Sequence, residues 1–291
     1  MRATAAVLGL LLGLCATARA QETVPFDHLH LAVPDPAKAR EWYLRNIGGT
    51  DGETGDRLAF GKWPGDHPLP ISLLFLTSAS AKPSAGSVID SIGFSYPNLD
   101  QRVREIEAAG ARVVTPPGDG AGPFRRAVVQ DPWGTTLELV QDPAFDLAGI
   151  HHVTLRVPDP EETLAWYVRA FGGERVKMGG QIDAVRYRDL NVIYLAAVKS
   201  ERMAPSEGRS IDHLGWGPID LDRVVNDLKA RGATFASDPN PRGNPPCVFQ
   251  AREIRALYCP QPEQLAHRTV YLEAPNGVRI ELVQHLEAGG H

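Results

Sequence analysis

Residues 26–49, FDHLHLAVPDPAKAREWYLRNIGG, return 124 residues later, without a gap, as IHHVTLRVPDPEETLAWYVRAFGG at 150–173. A second echo joins VIDSIGFSYPNLDQRVREIEAAGARV (88–113) to SIDHLGWGPIDLDRVVNDLKARGATF (210–235). A third joins QDPWGTTLELVQ (130–141) to EAPNGVRIELVQ (273–284). Self-similarity of this kind marks a fold built from repeated supersecondary units. It divides the chain into two halves, 22–146 and 147–291, each holding two smaller units.

Each unit reads strand, helix, strands. In the third, His152 to Val157 alternate as a strand does, Asp159 is a good N-cap, Pro160 suits the first helical position and Glu162 suits a capping box. Leu164, Tyr167 and Phe171 then form one apolar stripe, and Gly172-Gly173 stops the helix. Asp35, Pro36 and Gly48-Gly49 play the same parts in the first unit. In the second and fourth, Leu99/Val103/Ile106 and Leu221/Val225/Leu228 are the stripes, ending at Gly110 and Gly232. Short β-runs follow at Ile71–Leu76, Arg126–Val129, Leu137–Val140, Val192–Ala196, Thr269–Leu272 and Arg279–Val283. The expected class is α+β with mostly antiparallel sheets.

The chain has 291 residues, 43% hydrophobic and 22% charged, which excludes a disordered chain and a coiled coil and allows two sizeable cores. A formal charge of −5 gives no basic surface for nucleic acid or an anionic membrane. Residues 1–20, MRATAAVLGLLLGLCATARA, read as a signal peptide: Arg2, an apolar run too short to span a bilayer, then Ala18-Arg19-Ala20. Cleavage before Gln21 leaves a chain of charge −7, exported to the periplasm or secreted, with no membrane association after processing. An oxidising compartment permits a Cys247–Cys259 disulfide in a Pro-rich insertion.

The repeated phrase H-x-x-x-x-V-P-D…W-Y…G-G, with P-x-G-x-x-x-E-L closing each half, resembles the vicinal oxygen chelate superfamily, which includes glyoxalase I, bleomycin-resistance proteins, fosfomycin thiol transferases and extradiol dioxygenases. The resemblance covers nearly all of residues 22–286. It implies four βαβββ modules paired into two vicinal-oxygen-chelate domains, 22–146 and 147–291, each curled into a cup.

The resemblance also implies metal ligands on the first strand of each paired unit and the last strand of the second. The C-terminal half supplies His152, His213 and Glu281, a two-histidine, one-carboxylate set suited to Fe²⁺, which is favoured, or to Zn²⁺, Mn²⁺ or Ni²⁺. The N-terminal equivalents, His28, Ser91 and Glu138, form a degenerate site, because a serine hydroxyl is a poor ligand. His30 shares the face of His28 and reads as a satisfied polar residue of that cup, with compensation for Ser91 as the alternative. His213→Ala should then release metal, while changes at His28 or Ser91 should not.

Tyr271 to Glu281 resembles the back half of the extradiol signature, which makes Tyr271 a hydrogen-bond donor to substrate and His267, four residues before it, a candidate acid/base. Tyr194 and Arg156 are candidate substrate contacts, the first on the strand that often supplies a fourth ligand, the second on the inward face of the His152 strand. Export argues against cosubstrates confined to the cytosol. The expected function is therefore metal-dependent, oxygen-dependent cleavage of the extradiol type, or a related reaction, on a small vicinal-oxygen substrate. The alternatives are a non-catalytic binding or resistance protein and a Zn²⁺-dependent lyase or hydrolase. The expected partner is a small molecule, and the expected state is a monomer or homodimer.

Overall fold

The structure, a computed structural model, describes residues 23–51, 57–61, 71–120, 122–145, 149–187, 193–201, 203–235 and 267–285. The signal segment and both Cys247 and Cys259 lie outside the described residues. The first module runs β1 (Phe26–Val33), α1 (Pro36–Asn46), β2 (Thr50–Asp51), β3 (Arg57–Phe60) and β4 (Ile71–Thr77). The second is β5 (Ile89–Ser95), α2 (Leu99–Ala108), β6 (Arg112–Gly118), β7 (Arg125–Gln130) and β8 (Thr136–Gln141). The third is β9 (Ile150–Val157), α3 (Pro160–Phe171), β10 (Glu174–Met178), β11 (Ile182–Tyr187) and β12 (Ile193–Lys199). The fourth comprises β13 (Ile211–Trp216), α4 (Leu221–Ala230), β14 (His267–Ala274) and β15 (Val278–His285). Among the described residues no helix is long and apolar enough to cross a membrane.

Local rules act as the sequence suggests. Asp35, Asp159 and Asp220 each cap a helix by accepting a hydrogen bond from the backbone N–H three residues on, satisfying a donor the helix leaves orphaned. The third helix ends at Gly172, whose φ of 74° lies in the left-handed region that a side chain disfavours.

The pairing of modules differs from the expectation. Strands β14-β15-β13-β1-β4-β3-β2 form one sheet and β10-β11-β12-β9-β5-β8-β7-β6 the other. The first module therefore pairs with the fourth, through antiparallel β1 and β13, and the second with the third, through antiparallel β5 and β9. The sequence repeats and the sheets do not coincide. Two connections make the exchange: the chain leaves β4 for β5 in the other sheet and returns from β12 to β13. These crossings run side by side, bridged at Lys82–Arg209 and Ser87–Ala204 and tied by hydrogen bonds from Val88 N to the Ala204 oxygen (2.9 Å) and Ser210 N to the Lys82 oxygen (2.7 Å). An aromatic cluster then packs the two sheets together. Trp216 of β13 stacks on Phe171 of α3 (4.5 Å between centroids) and meets Phe26 of β1 edge-on (4.9 Å) and Tyr187 of β11 (5.9 Å). All four rings are buried, and burial of each is worth about 1.5–3 kcal/mol.

Candidate metal centre

The seven-stranded sheet brings together His28 and His30 from β1, His213 from β13 and Glu281 from β15. Their candidate ligand atoms all lie within 4.8 Å of one another, and all four residues are buried. Register explains the convergence. His30 stands opposite His213, while Gly215 stands opposite both His28 and, on its other side, Glu281. The missing side chain of Gly215 makes room for the His28 ring: a Cβ there would lie 2.1 Å from its Cε1 atom. His28 Nε2 and His213 Nε2 each approach Glu281 Oε2 at 3.1 Å.

The outer nitrogens are held as well. His28 Nδ1 meets Asp27 Oδ1 at 2.6 Å, and His213 Nδ1 meets Asp212 Oδ1 at 2.7 Å. Asp27 is braced in turn by His285 (2.7 Å) and Asp212 by Arg279 (3.3 Å). A carboxylate behind each imidazole fixes the ring's orientation and raises its basicity, the usual support of a metal-bound histidine. Burial opposes the charge of His28, yet Asp27 and Glu281 on its two nitrogens outweigh burial and push its pKa up to about 9. Burial likewise opposes ionisation of Glu281, but contacts from His213 and His28 hold it well below the carboxylate range. Burial, and then the charges of His213 and His28, drive His30 well below the ordinary histidine value. The donor set is chemically suited to a divalent transition ion: a charged carboxylate oxygen and imidazole nitrogens, all oriented before the ion arrives.

Asp27→Asn and Asp212→Asn are expected to weaken metal binding by about 10- to 100-fold each without removing a ligand. Competition with a coloured chelator measures the effect.

The expected site residues are thus redistributed. His213 and Glu281 come together as proposed, but with His28 rather than His152. The deviation follows from the pairing of the sheets, since β9 lies beside β5 and not beside β13. His152 faces the degenerate cup of the eight-stranded sheet, over Gly93, with Ser91 and Glu138. There Glu138 accepts hydrogen bonds from Ser91 Oγ (2.5 Å), Thr154 Oγ1 (2.9 Å) and Arg126 (3.3 Å), and His152 Nε2 lies 3.8 Å away. Two hydroxyls and a guanidinium surround this carboxylate where the other cup offers imidazoles. His151 bridges His152 (2.7 Å) to Asp142 (3.1 Å) and is enclosed by Phe124, Phe145 and Tyr194. Burial, then the neighbouring charge of His152, pulls its pKa down to about 4.

Tyr194 and Arg156 belong to this second cup, so they do not line the metal cluster. Tyr194 lies beside His152 in parallel register, and Arg156 is engaged by Asp90 at 2.9 Å. Tyr271 does reach the cluster. It is the cross-strand partner of Glu281, its ring meets that of His213 edge-on at 5.3 Å between centroids, and its hydroxyl interacts with the Glu281 carboxylate. The Arg279 guanidinium lies over its ring, 4.7 Å from the centroid. His267 begins β14, and its side chain lies outside the described residues.

The family model described as Glyoxalase/Bleomycin resistance protein/Dioxygenase superfamily matches residues 26–139 and again 149–282. The chain belongs to this superfamily. Among solved structures it is similar to glyoxalase I from Zea mays, at 17% identity over 89% of this chain and 92% of that one, with a TM-score of 0.62. It is also similar to a candidate dioxygenase from Bacillus subtilis, at 17% identity over 93% of this chain and 87% of that one, with a TM-score of 0.58. At these identities the likeness speaks for the shared fold. No curated protein matches the chain. As a glyoxalase-superfamily member it keeps one cup rich in metal-binding groups and one filled by its own hydroxyls and charges.

Proposed function

We propose that this protein is a divalent-metal enzyme that binds a small molecule through two neighbouring oxygen atoms in the cup of the seven-stranded sheet. The observation that carries the reading is the buried convergence of His28, His213 and Glu281, with Asp27 and Asp212 behind the two imidazoles. Fe²⁺, Zn²⁺, Mn²⁺ and Ni²⁺ all suit imidazole and carboxylate donors. When bound, such an ion supplies Lewis-acid polarisation to the substrate's oxygens.

The protein's own groups do the rest. The two aspartates orient the histidines, and the apolar sheet behind them excludes water. Tyr271, whose hydroxyl is kept protonated by burial and by the charge of Glu281, is a side-chain donor beside the cluster. Oxygen-dependent cleavage of a catechol-like substrate is the second reading, favoured by Tyr271 beside His213, where the extradiol-like motif puts it. Export of the mature chain through its N-terminal segment completes the proposal.

Elemental analysis of the purified full chain tests it. The expected result is close to one equivalent of iron, zinc, manganese or nickel, and its absence after reconstitution sinks the reading. Chelator treatment is expected to lower Tm by several degrees, because an ion at a hundredfold excess over its Kd stabilises the folded state by about 2.7 kcal/mol. Oxygen uptake with catechols after anaerobic Fe²⁺ loading would favour the second reading. Calorimetric ligand binding indifferent to chelator would instead favour a non-catalytic binding protein.

A further inference from the structure

We infer that His30 is a fourth protein ligand, so that three imidazoles and one carboxylate grip the ion and the substrate chelates to it without dioxygen beside it. The inference rests on the metal reading above and can fail without it.

His30 lies two residues from His28 on β1, so both rings project to one face of the sheet. Its ring centroid is 4.8 Å from that of His28 and 4.2 Å from that of His213, and one of its nitrogens lies within the 4.8 Å cluster. The residue is buried, and its Nδ1 atom has no hydrogen-bond partner. Leaving a buried polar atom unpaired costs about 1–3 kcal/mol, and a metal ion in the cup would remove that cost. The carboxylate does not fill this role, since Glu281 Oε2 already faces both His28 and His213.

The sister cup supplies an internal control. Thr154 occupies the position of His30, opposite Ser91 as His30 stands opposite His213. Both hydroxyls there bond to Glu138, and none of Ser91, Glu138, His152 and Thr154 carries an orphaned buried atom. One repeat therefore satisfies its polar groups internally. The other leaves a nitrogen without a partner on an imidazole whose ring packs against the remaining donors, and it does so in the cup that has two other histidines.

A facial triad leaves open positions for both a chelating substrate and oxygen. A fourth protein ligand takes one of them. What remains accepts two adjacent oxygens, as in an α-hydroxycarbonyl compound, with no metal position left for a third reactant. The substrate class is then a small molecule with neighbouring hydroxyl and carbonyl oxygens, transformed without oxygen uptake.

The test uses the full chain loaded with Zn²⁺ or Co²⁺, with His30→Gln and His30→Thr as variants, the second borrowing the side chain of the sister strand. Histidine-selective ¹⁵N NMR of the zinc form counts metal-bound imidazoles. The expected result is three in the parent and two in each variant, with at least about tenfold weaker metal binding by chelator competition and an altered cobalt spectrum. A parent with two bound imidazoles, or variants that keep its affinity and cobalt spectrum, would overturn the inference while the metal reading stands. A parent that retains no metal at all would sink both. Should either variant misfold by circular dichroism, the imidazole count in the parent still decides.

Discussion

His28→Ala and His213→Ala are each expected to strip the ion from the protein, while His152→Ala leaves it in place. Both substitutions in the first cup remove a ligand and leave Glu281 buried with a single imidazole partner. Removing one member of a buried pair costs about 3–5 kcal/mol. The loss of metal affinity should exceed the roughly hundredfold penalty seen when only a supporting group is lost. In the second cup Glu138 keeps Ser91, Thr154 and Arg126 when His152 is gone. The cost there is the orphaned His151 nitrogen, about 1–3 kcal/mol of stability, with no change in metal content. Metal stoichiometry after dialysis, alongside thermal unfolding, separates the outcomes. Retention of metal by His28→Ala together with its loss from His152→Ala would reverse the assignment.

Gly215→Ala should be nearly as damaging to the metal centre, although residue 215 is not a ligand. Its backbone φ is not positive, so the glycine is needed for space rather than for conformation. A methyl group would sit 2.1 Å from His28 Cε1, and the ring would have to leave its place over the strand. Metal affinity is expected to fall at least about tenfold. Gly93→Ala is the matched control: its Cβ would lie 2.0 Å from the His152 ring in the cup without the cluster. Overpacking there should lower stability by about 1–3 kcal/mol and leave metal binding untouched. Equal metal loss in both variants would mean that the glycines act through the fold as a whole.

Much of this architecture is legible in the residues. The duplication, the capped helices and the strand–helix–strands unit follow from short-range periodicity, turn chemistry and the repeated phrases. So do the two places where one cup holds a good donor set and the other a poor one. The pairing of modules is not legible in the same way. All four units share one pattern, and either pairing yields one complete and one broken triad. Only the identity of the first-strand histidine changes, His152 in one case and His28 in the other. One local signal distinguishes them. His28 and His213 each follow an aspartate, Asp27 and Asp212, that later braces the ring, whereas His152 follows His151. His30 is a second signal, since an inward imidazole is costly in a cup that has nothing to bind. The strand exchange joins residues far apart in the chain, as does the packing of Trp216, Phe171, Phe26 and Tyr187, and no local window contains either.

His28 and Glu281 are 253 positions apart, yet they face each other across a single cup. Each duplicated half therefore carries only part of the cluster: one brings His28 and His30, the other His213 and Glu281. On the proposed reading, an isolated half is expected to retain no ion, and a partly folded chain none until β1 docks beside β13 and β15. In a protein split between the repeats, appearance of bound metal would act as a reporter of the two pieces finding each other.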